Sequence, residues 1–172
     1  KILRSTDNGS SFSTVARYNS NDSRAVTFGN NTFVGVSRKG KTGRSTDNGS
    51  SFSSVNSTTS KHLYGATFGN NTFVAGGQSG RIVRSTDNVS SWNIATSGNS
   101  EYFRGITFGN NTFVGVAHSG EIVRSTDNGS SWDNATNTSS SNLYGVTFGN
   151  NTFVGVGQSG LIVRSTDNGS SF

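Results

Sequence analysis

The sequence has no cysteine and no proline, is 13% charged, and is only 29% hydrophobic over its 172 residues. Without cysteine there are neither disulfides nor thiolate metal sites, and the redox compartment is not written in the chain. No run of 18 apolar residues occurs, which excludes a transmembrane helix. The first residues, Lys1-Ile2-Leu3-Arg4, lack the apolar stretch of a signal peptide, which is silent on any leader removed earlier. So little apolar material speaks against one central core of the ordinary kind. Abundant Gly, Ser, Thr and Asn would by composition alone suggest disorder. The order of the residues argues otherwise, because aromatic and β-branched residues hold a fixed register along the whole length.

That register has a period of 40. The segment Arg-Ser-Thr-Asp-Asn-Gly-Ser-Ser-Phe begins at Arg4, Arg44 and Arg164, returns from Arg124 ending in Trp132, and returns from Arg84 with Val89 for the glycine and Trp92 at its end. Thr-Phe-Gly-Asn-Asn-Thr-Phe-Val begins at Thr27, Thr67, Thr107 and Thr147. No 3.6-residue apolar stripe appears, so helix is disfavoured. In the last repeat, strand A is expected over Tyr144 to Gly149, a turn at Asn150-Asn151, and strand B over Thr152 to Gly157. A second turn at Gln158-Ser159-Gly160 leads to strand C, Leu161 to Thr166, and the Asp-Asn-Gly turn leads into strand D, seen complete from Ser130 to about Thr136. Sequons at Asn8, Asn30, Asn48 and Asn134 fall largely on these turns and read as turn chemistry.

A four-stranded unit of this length predicts an all-β fold, a β-propeller with about four blades per chain. The expected division is one repeat domain over 1–172: strands C and D of a split blade in 1–22, full blades at about 23–62, 63–102 and 103–142, and strands A to C of a closing blade in 143–172. Ser125 to Trp132, Ser-Thr-Asp-Asn-Gly-Ser-Ser-Trp, resembles the Asp-box or BNR repeat, Ser-x-Asp-x-Gly-x-x-Trp, and the resemblance covers essentially the whole chain. It implies a sialidase-like or photosystem-assembly-factor-like propeller in which the box is scaffold between strands C and D. Asp7, Asp47, Asp87, Asp127 and Asp167, with Trp92 and Trp132, are then structural: the carboxylate accepts N–H bonds across the turn, glycine takes the positive φ, and the aromatic ring packs beneath. Val89 predicts a strained or differently shaped third turn.

The formal net charge is +5, but it is unevenly placed: residues 1–86 sum to +8 and residues 87–172 to −3. Residues 1–12 and 161–172 are nearly the same sequence. Four blades make a small ring, and the expectation is that two chains associate head to tail into an eight-bladed closed ring, the opposite charges of the halves suiting that contact. A four-bladed monomer and a piece of a longer array are the competing readings.

Catalytic chemistry finds little material. The five turn aspartates leave Asp22, Glu101, Glu121 and Asp133, at differing positions of different repeats, where glycoside hydrolysis needs two convergent carboxylates. No catalytic residues, no cofactor and no metal are expected. Two histidines, His62 and His118, are too few for a protein-only metal site and read as loop residues. One carboxylate per turn disfavours calcium. The repeated arginines are read as structural, bonding carbonyls or stacking on a neighbouring blade, over a ring of anion sites.

One position varies while its surroundings hardly change: Arg24, Tyr64, Arg104, Tyr144, just before strand A. These are the expected ligand-binding rim, joined by the B–C turns with Arg38, Lys39 and Lys41, with Gln78 and Arg81, with His118 and Glu121, and with Gln158. Arg with Tyr suits sugars, carboxylates or phosphates. The expected function is a non-enzymatic scaffold or binding module. The alternatives are a carbohydrate-binding lectin, a protein-complex assembly factor, and a recently amplified or designed propeller with no ligand. A glycan or protein ligand is expected, nucleic acid and membrane are not, and an extracellular or cell-surface setting is expected over the cytoplasm.

Overall fold

The computed structural model describes residues 2–172. It contains seventeen strands: β1 (Ile2–Arg4), β2 (Ser13–Val15), β3 (Ser23–Gly29), β4 (Thr32–Ser37), β5 (Lys41–Ser45), β6 (Ser53–Asn56), β7 (Leu63–Gly69), β8 (Thr72–Gly77), β9 (Ile82–Ser85), β10 (Asn93–Ala95), β11 (Phe103–Gly109), β12 (Thr112–Ala117), β13 (Ile122–Ser125), β14 (Asp133–Asn134), β15 (Leu143–Gly149), β16 (Thr152–Gly157) and β17 (Ile162–Ser165). They form antiparallel meanders: a β1–β2 hairpin, three four-stranded sheets (β3–β6, β7–β10, β11–β14), and a three-stranded sheet β15–β17. Short 3-10 turns such as Arg38–Gly40 connect strands, and there is no α-helix among the described residues.

The Asn-Asn pairs make the first turn of each sheet. Both residues take positive φ, +45° and +53° at Asn30 and Asn31 and +48° and +56° at Asn150 and Asn151, which is the tight hairpin geometry whose twist matches that of the strands. Strand D is shorter than its expected span of Ser130 to Thr136. Only Asp133 and Asn134 pair as strand in that repeat, because Ser131 is held back by Asp127, its N–H and hydroxyl donating to the carboxylate at 3.0 and 2.6 Å.

Apolar contact lies between sheets. Val34 and Val36 of one sheet pack on Leu63, Phe73, Val83 and Trp92 of the next. Val74 and Ile82 pack in turn with Phe103, Phe113 and Trp132, and Val114, Val116 and Ile122 with Leu143, Phe153 and Val163. This stacking explains how a chain of low hydrophobic content folds, since each sheet buries one face against each neighbour. The first strands of successive sheets lie side by side, β3 with β7, β7 with β11 and β11 with β15. Their closeness requires glycine: a Cβ on Gly29, Gly69 or Gly109 would fall within 2.1 Å of the ring of Phe68, Phe108 or Phe148.

The Asp turn is a serine–aspartate–serine network. Ser45 donates its hydroxyl to Asp47 at 2.7 Å and accepts the Gly49 N–H at 2.9 Å, while Ser51 donates its N–H and hydroxyl to the same carboxylate at 3.0 and 2.7 Å. Val89 does not reshape its turn. Its N–H reaches Ser85 Oγ at 2.9 Å and its φ is +63°, so the conformation is kept and the strain accepted. Left-handed backbone costs a β-branched residue about 1–2 kcal/mol, which burial of its side chain beside Val34 offsets at about 1.5–3 kcal/mol. The two tryptophans differ: Trp132 Nε1 donates to the Gly129 carbonyl at 3.2 Å, and buried Trp92 Nε1 has no partner among the described residues.

The repeated arginines lock sheets together. Arg4, Arg44 and Arg84 each donate Nε at 2.7 Å to the carbonyl of Asn48, Asn88 or Asn128 in the next sheet's Asp turn. The amides of Asn88 and Asn128 reach back to Thr32 and Thr72 at 2.9 and 2.7 Å. Replacing half-buried Arg84 by leucine is expected to cost about 1.5–3 kcal/mol, the worth of a charge-assisted bond, read as a lower midpoint in urea denaturation.

The turn carboxylates set the acid limit of the fold. Hydroxyl donation from Ser11 and Ser5 holds Asp7 at about 2, and donation from Ser91 does most to hold Asp87 at about 2, against an ordinary 3.8. Asp47 and Asp167 are lowered by Ser51 and Ser171 in the same way. The folded state therefore binds fewer protons than the unfolded one. The stability that this supplies is complete above the unfolded value and is lost as pH falls toward the folded one. Through these carboxylates the melting temperature is expected to fall between about pH 4 and 2.

Candidate functional site

The varying position, expected just before strand A, is instead the second residue of each first strand, and it is structurally special. In all four sheets the pairing of the first two strands skips one residue: Ser23 and Ala25 pair while Arg24 does not, and the same holds for Tyr64, Arg104 and Tyr144. Each expected rim residue is thus the extra residue of a β-bulge, a device that re-aims a side chain away from the ladder. The turn between the second and third strands is tied to the same place. Arg38, Gln78, His118 and Gln158 donate their backbone N–H groups to the carbonyls of Asp22, His62, Tyr102 and Asn142, two residues before the bulge.

The structure brings Tyr64 and Arg104 together. The Arg104 guanidinium carbon lies 4.4 Å from the centre of the Tyr64 ring, a cation–π contact worth about 0.5–2 kcal/mol. Arg104 also donates Nε to His118 Nε2 at 2.9 Å. His118 stacks on Tyr102, with ring centres 5.5 Å apart and planes 28° from parallel. Tyr102 in turn lies 6.4 Å from Tyr64, and His62 meets the edge of Tyr64 at 6.2 Å. Five residues from two neighbouring sheets therefore form one continuous aromatic and cationic surface, and all are partly buried.

The other two rim positions stand apart. Arg24 faces Asp22 at 3.7 Å, which Arg38 also contacts at 3.4 Å, an exposed arrangement of little energetic weight. Tyr144 is 49% exposed and meets no cation or ring among the described residues. Of the turn residues, Lys39 and Lys41 are exposed. Gln78 joins the cluster through Tyr102 Oη at 3.5 Å, and Glu121 accepts from the Asn99 amide at 3.0 Å.

Sequence reasoning missed Tyr102 and the part played by His118. The signal was there: the aromatic pair Tyr102-Phe103 stands where the neighbouring repeats read His62-Leu63 and Asn142-Leu143. His62, by contrast, keeps the loop role expected of it, its Nδ1 accepting the Lys39 N–H at 2.9 Å. Among the described residues no three His, Asp or Glu side chains converge as a metal site would require.

No protein-family model and no curated protein matches the chain. Solved structures do. YCF48 bound to a D1 peptide superposes with a TM-score of 0.72 at 18% identity, over 98% of this chain and 57% of that one. The computationally designed Ika4 protein gives 0.70 at 14% identity over 88% and 94%, and the WD40 β-propeller domain of Doa1 gives 0.67 at 13% over 92% and 55%. The fold is that of a β-propeller. The chain spans nearly all of Ika4 and somewhat more than half of the other two.

Burial first, and then the neighbouring Arg104 charge, push the His118 imidazole below its ordinary 6.5. The neutral ring is the form that can accept the Arg104 N–H. Titration of the His118 ring protons by NMR is expected to give a midpoint below 6.5, moving upward when Arg104 is replaced by glutamine. With the folded value depressed, His118 contributes stability above about pH 6.5 that declines as pH falls below it.

Proposed function

We propose that this chain is a non-enzymatic β-propeller module of the Asp-box kind that holds a carboxylate-bearing ligand on the rim formed by Tyr64, Tyr102, Arg104 and His118. The observation that carries this reading is the posture of Arg104. Its Nε is committed to His118 and its flat face to Tyr64, while its terminal nitrogens bond no described residue. A guanidinium oriented in this way presents a two-toothed fork, which matches a carboxylate in geometry and charge. The surrounding rings supply an apolar platform of the kind that orients small ligands.

The absence of paired acid chemistry supports a binding role over catalysis. Five carboxylates are consumed by the Asp turns, Asp22 by Arg24 and Arg38, and Glu121 by Asn99. The serine–aspartate–serine network with an aromatic ring beneath it supports placing the chain among Asp-box propellers. A second reading, a protein-assembly role, is favoured by the superposition on YCF48 with its D1 peptide. A peptide's terminal carboxylate would satisfy the same arginine.

Isothermal titration with a glucuronate-containing oligosaccharide and with a short peptide bearing a free C-terminus separates these readings. Binding of either is expected to weaken at least about tenfold in Arg104→Gln, the loss of one charge-assisted pair, and to be unchanged in Lys61→Gln. Undiminished binding by Arg104→Gln would overturn the rim assignment. Uptake of the peptide alone would favour the assembly role.

A further inference from the structure

Every seam between sheets in this chain is built alike, and the two outermost faces carry the halves of one more. A Cβ on Gly149 would meet no described residue within 4 Å, whereas its counterparts Gly29, Gly69 and Gly109 are each covered by a phenylalanine ring. Phe28, the counterpart of those rings, is 50% exposed. Carbonyls of Thr59, Asn99 and Ser139 lie over Gly40, Gly80 and Gly120, and no described residue lies over Gly160. Ile82 and Ile122 are buried while Ile162 is 69% exposed; Val36 and Val116 are buried while Val156 is 48% exposed. On the opposite face Val26 is 65% exposed, beside a cleft of about 440 Å³ lined by Leu3, Tyr18, Arg24, Phe33 and Phe52.

We propose that these faces close on each other between two copies of the chain, so that four seams of this kind recur in each half of a ring. Phe28 of one copy covers Gly149 of the other, as Phe148 covers Gly109. Arg24 moves from Asp22 to lie over Tyr144 of the other copy, repeating the Arg104–Tyr64 contact. The alternation of Arg and Tyr along the rim then runs unbroken from copy to copy, and the Tyr144 position gains a cation that a single chain does not place there. Charge favours this occupant, because the half that carries Phe28 and Arg24 sums to +8 and the half that carries Gly149 and Tyr144 to −3, and opposed potentials speed and orient association.

One strand must yield. β1 and β17 are equivalent, since Arg4 bonds the Asn48 carbonyl and Arg164 has no such acceptor among the described residues. β17 is the better held: Val163 is buried, and the following turn is tied to Thr136 through Thr136 N–H to Ser170 O at 3.0 Å and Phe172 N–H to Thr136 O at 2.8 Å. Leu3 and Phe12 at the β1 end are 58% and 62% exposed. β17 therefore displaces β1 of the second copy and pairs with its β2, in the register in which Arg4 faces Ser13, completing a four-stranded sheet. Two copies are required because the sheets meet in chain order, β3 with β7, β7 with β11 and β11 with β15, while Phe28 and Gly149, the two halves of a fourth seam, stay open within one chain.

Analytical ultracentrifugation of the 172-residue chain tests this, and is expected to return twice the mass of the 18.0 kDa chain. Gly149→Val is the decisive variant. Its side chain meets only solvent in one copy but would strike Phe28 of the other, so it should sediment as a single chain with its circular dichroism and melting cooperativity retained. Gly109→Val, which strikes Phe148 within the chain, should disrupt the fold itself. Should Gly149→Val fail to fold, Ile162→Lys places a charge on the same exposed face and is expected to give the same single-chain mass. A wild-type mass of 18.0 kDa, a dimer indifferent to Gly149→Val or Ile162→Lys, or a mass that climbs without limit as concentration rises, the mark of an open filament, would each overturn the proposal.

Discussion

The structure depends on a small turn that is bound from both sides. The carbonyls of Asn48, Asn88 and Asn128 are presented outward because these residues sit at left-handed φ, +57°, +56° and +64°, inside a loop whose shape the neighbouring aspartate and serines fix. The guanidinium of the preceding sheet takes the carbonyl, and the side-chain amides of Asn88 and Asn128 take a threonine of that same sheet. Local turn chemistry and long-range packing are therefore one interaction. A turn that lost its shape would release its own strand and also the grip of its neighbour.

This coupling answers how so polar a chain can fold. Its polar residues do not wait on the surface for a core to form elsewhere. They supply directional bonds at the Asp turns, while phenylalanine, valine and isoleucine fill the thin space between sheets. Neither contribution is sufficient alone. The apolar layer is narrow, and a hydrogen-bonded turn gains little net stability when it is isolated in water.

Much of the architecture was legible because it is periodic. The Asn-Asn turns, the strand boundaries beside them and the role of the glycines follow from residue types whose backbone preferences are strong. Strand D was overestimated because serine looks compatible with a strand, and only its bonds to Asp127 show that it belongs to the turn. Of the rim, the varying position itself was visible, while its pairing was not: Arg104 meets Tyr64 and Arg24 does not, a difference set by Asp22 and by the presence of a neighbouring sheet. His118 was hidden because it lies in the turn after β12 while its partners, Tyr102 just before β11 and Arg104 within it, come from elsewhere in the sequence, brought close by a bulge that no single residue announces.

The glycine–phenylalanine contact is the same at every seam, and that uniformity carries a kinetic consequence. A collapsing chain can satisfy Gly29 with Phe68, but Phe108 or Phe148 would fit it equally well, so the contact that closes each seam does not say which seam it is. Correct order must come from sequence proximity, since the adjacent repeat arrives first. Rapid cooling or high concentration would favour out-of-order stacking, and the refolding rate of such a chain is then governed by the time needed to undo well-packed mistakes.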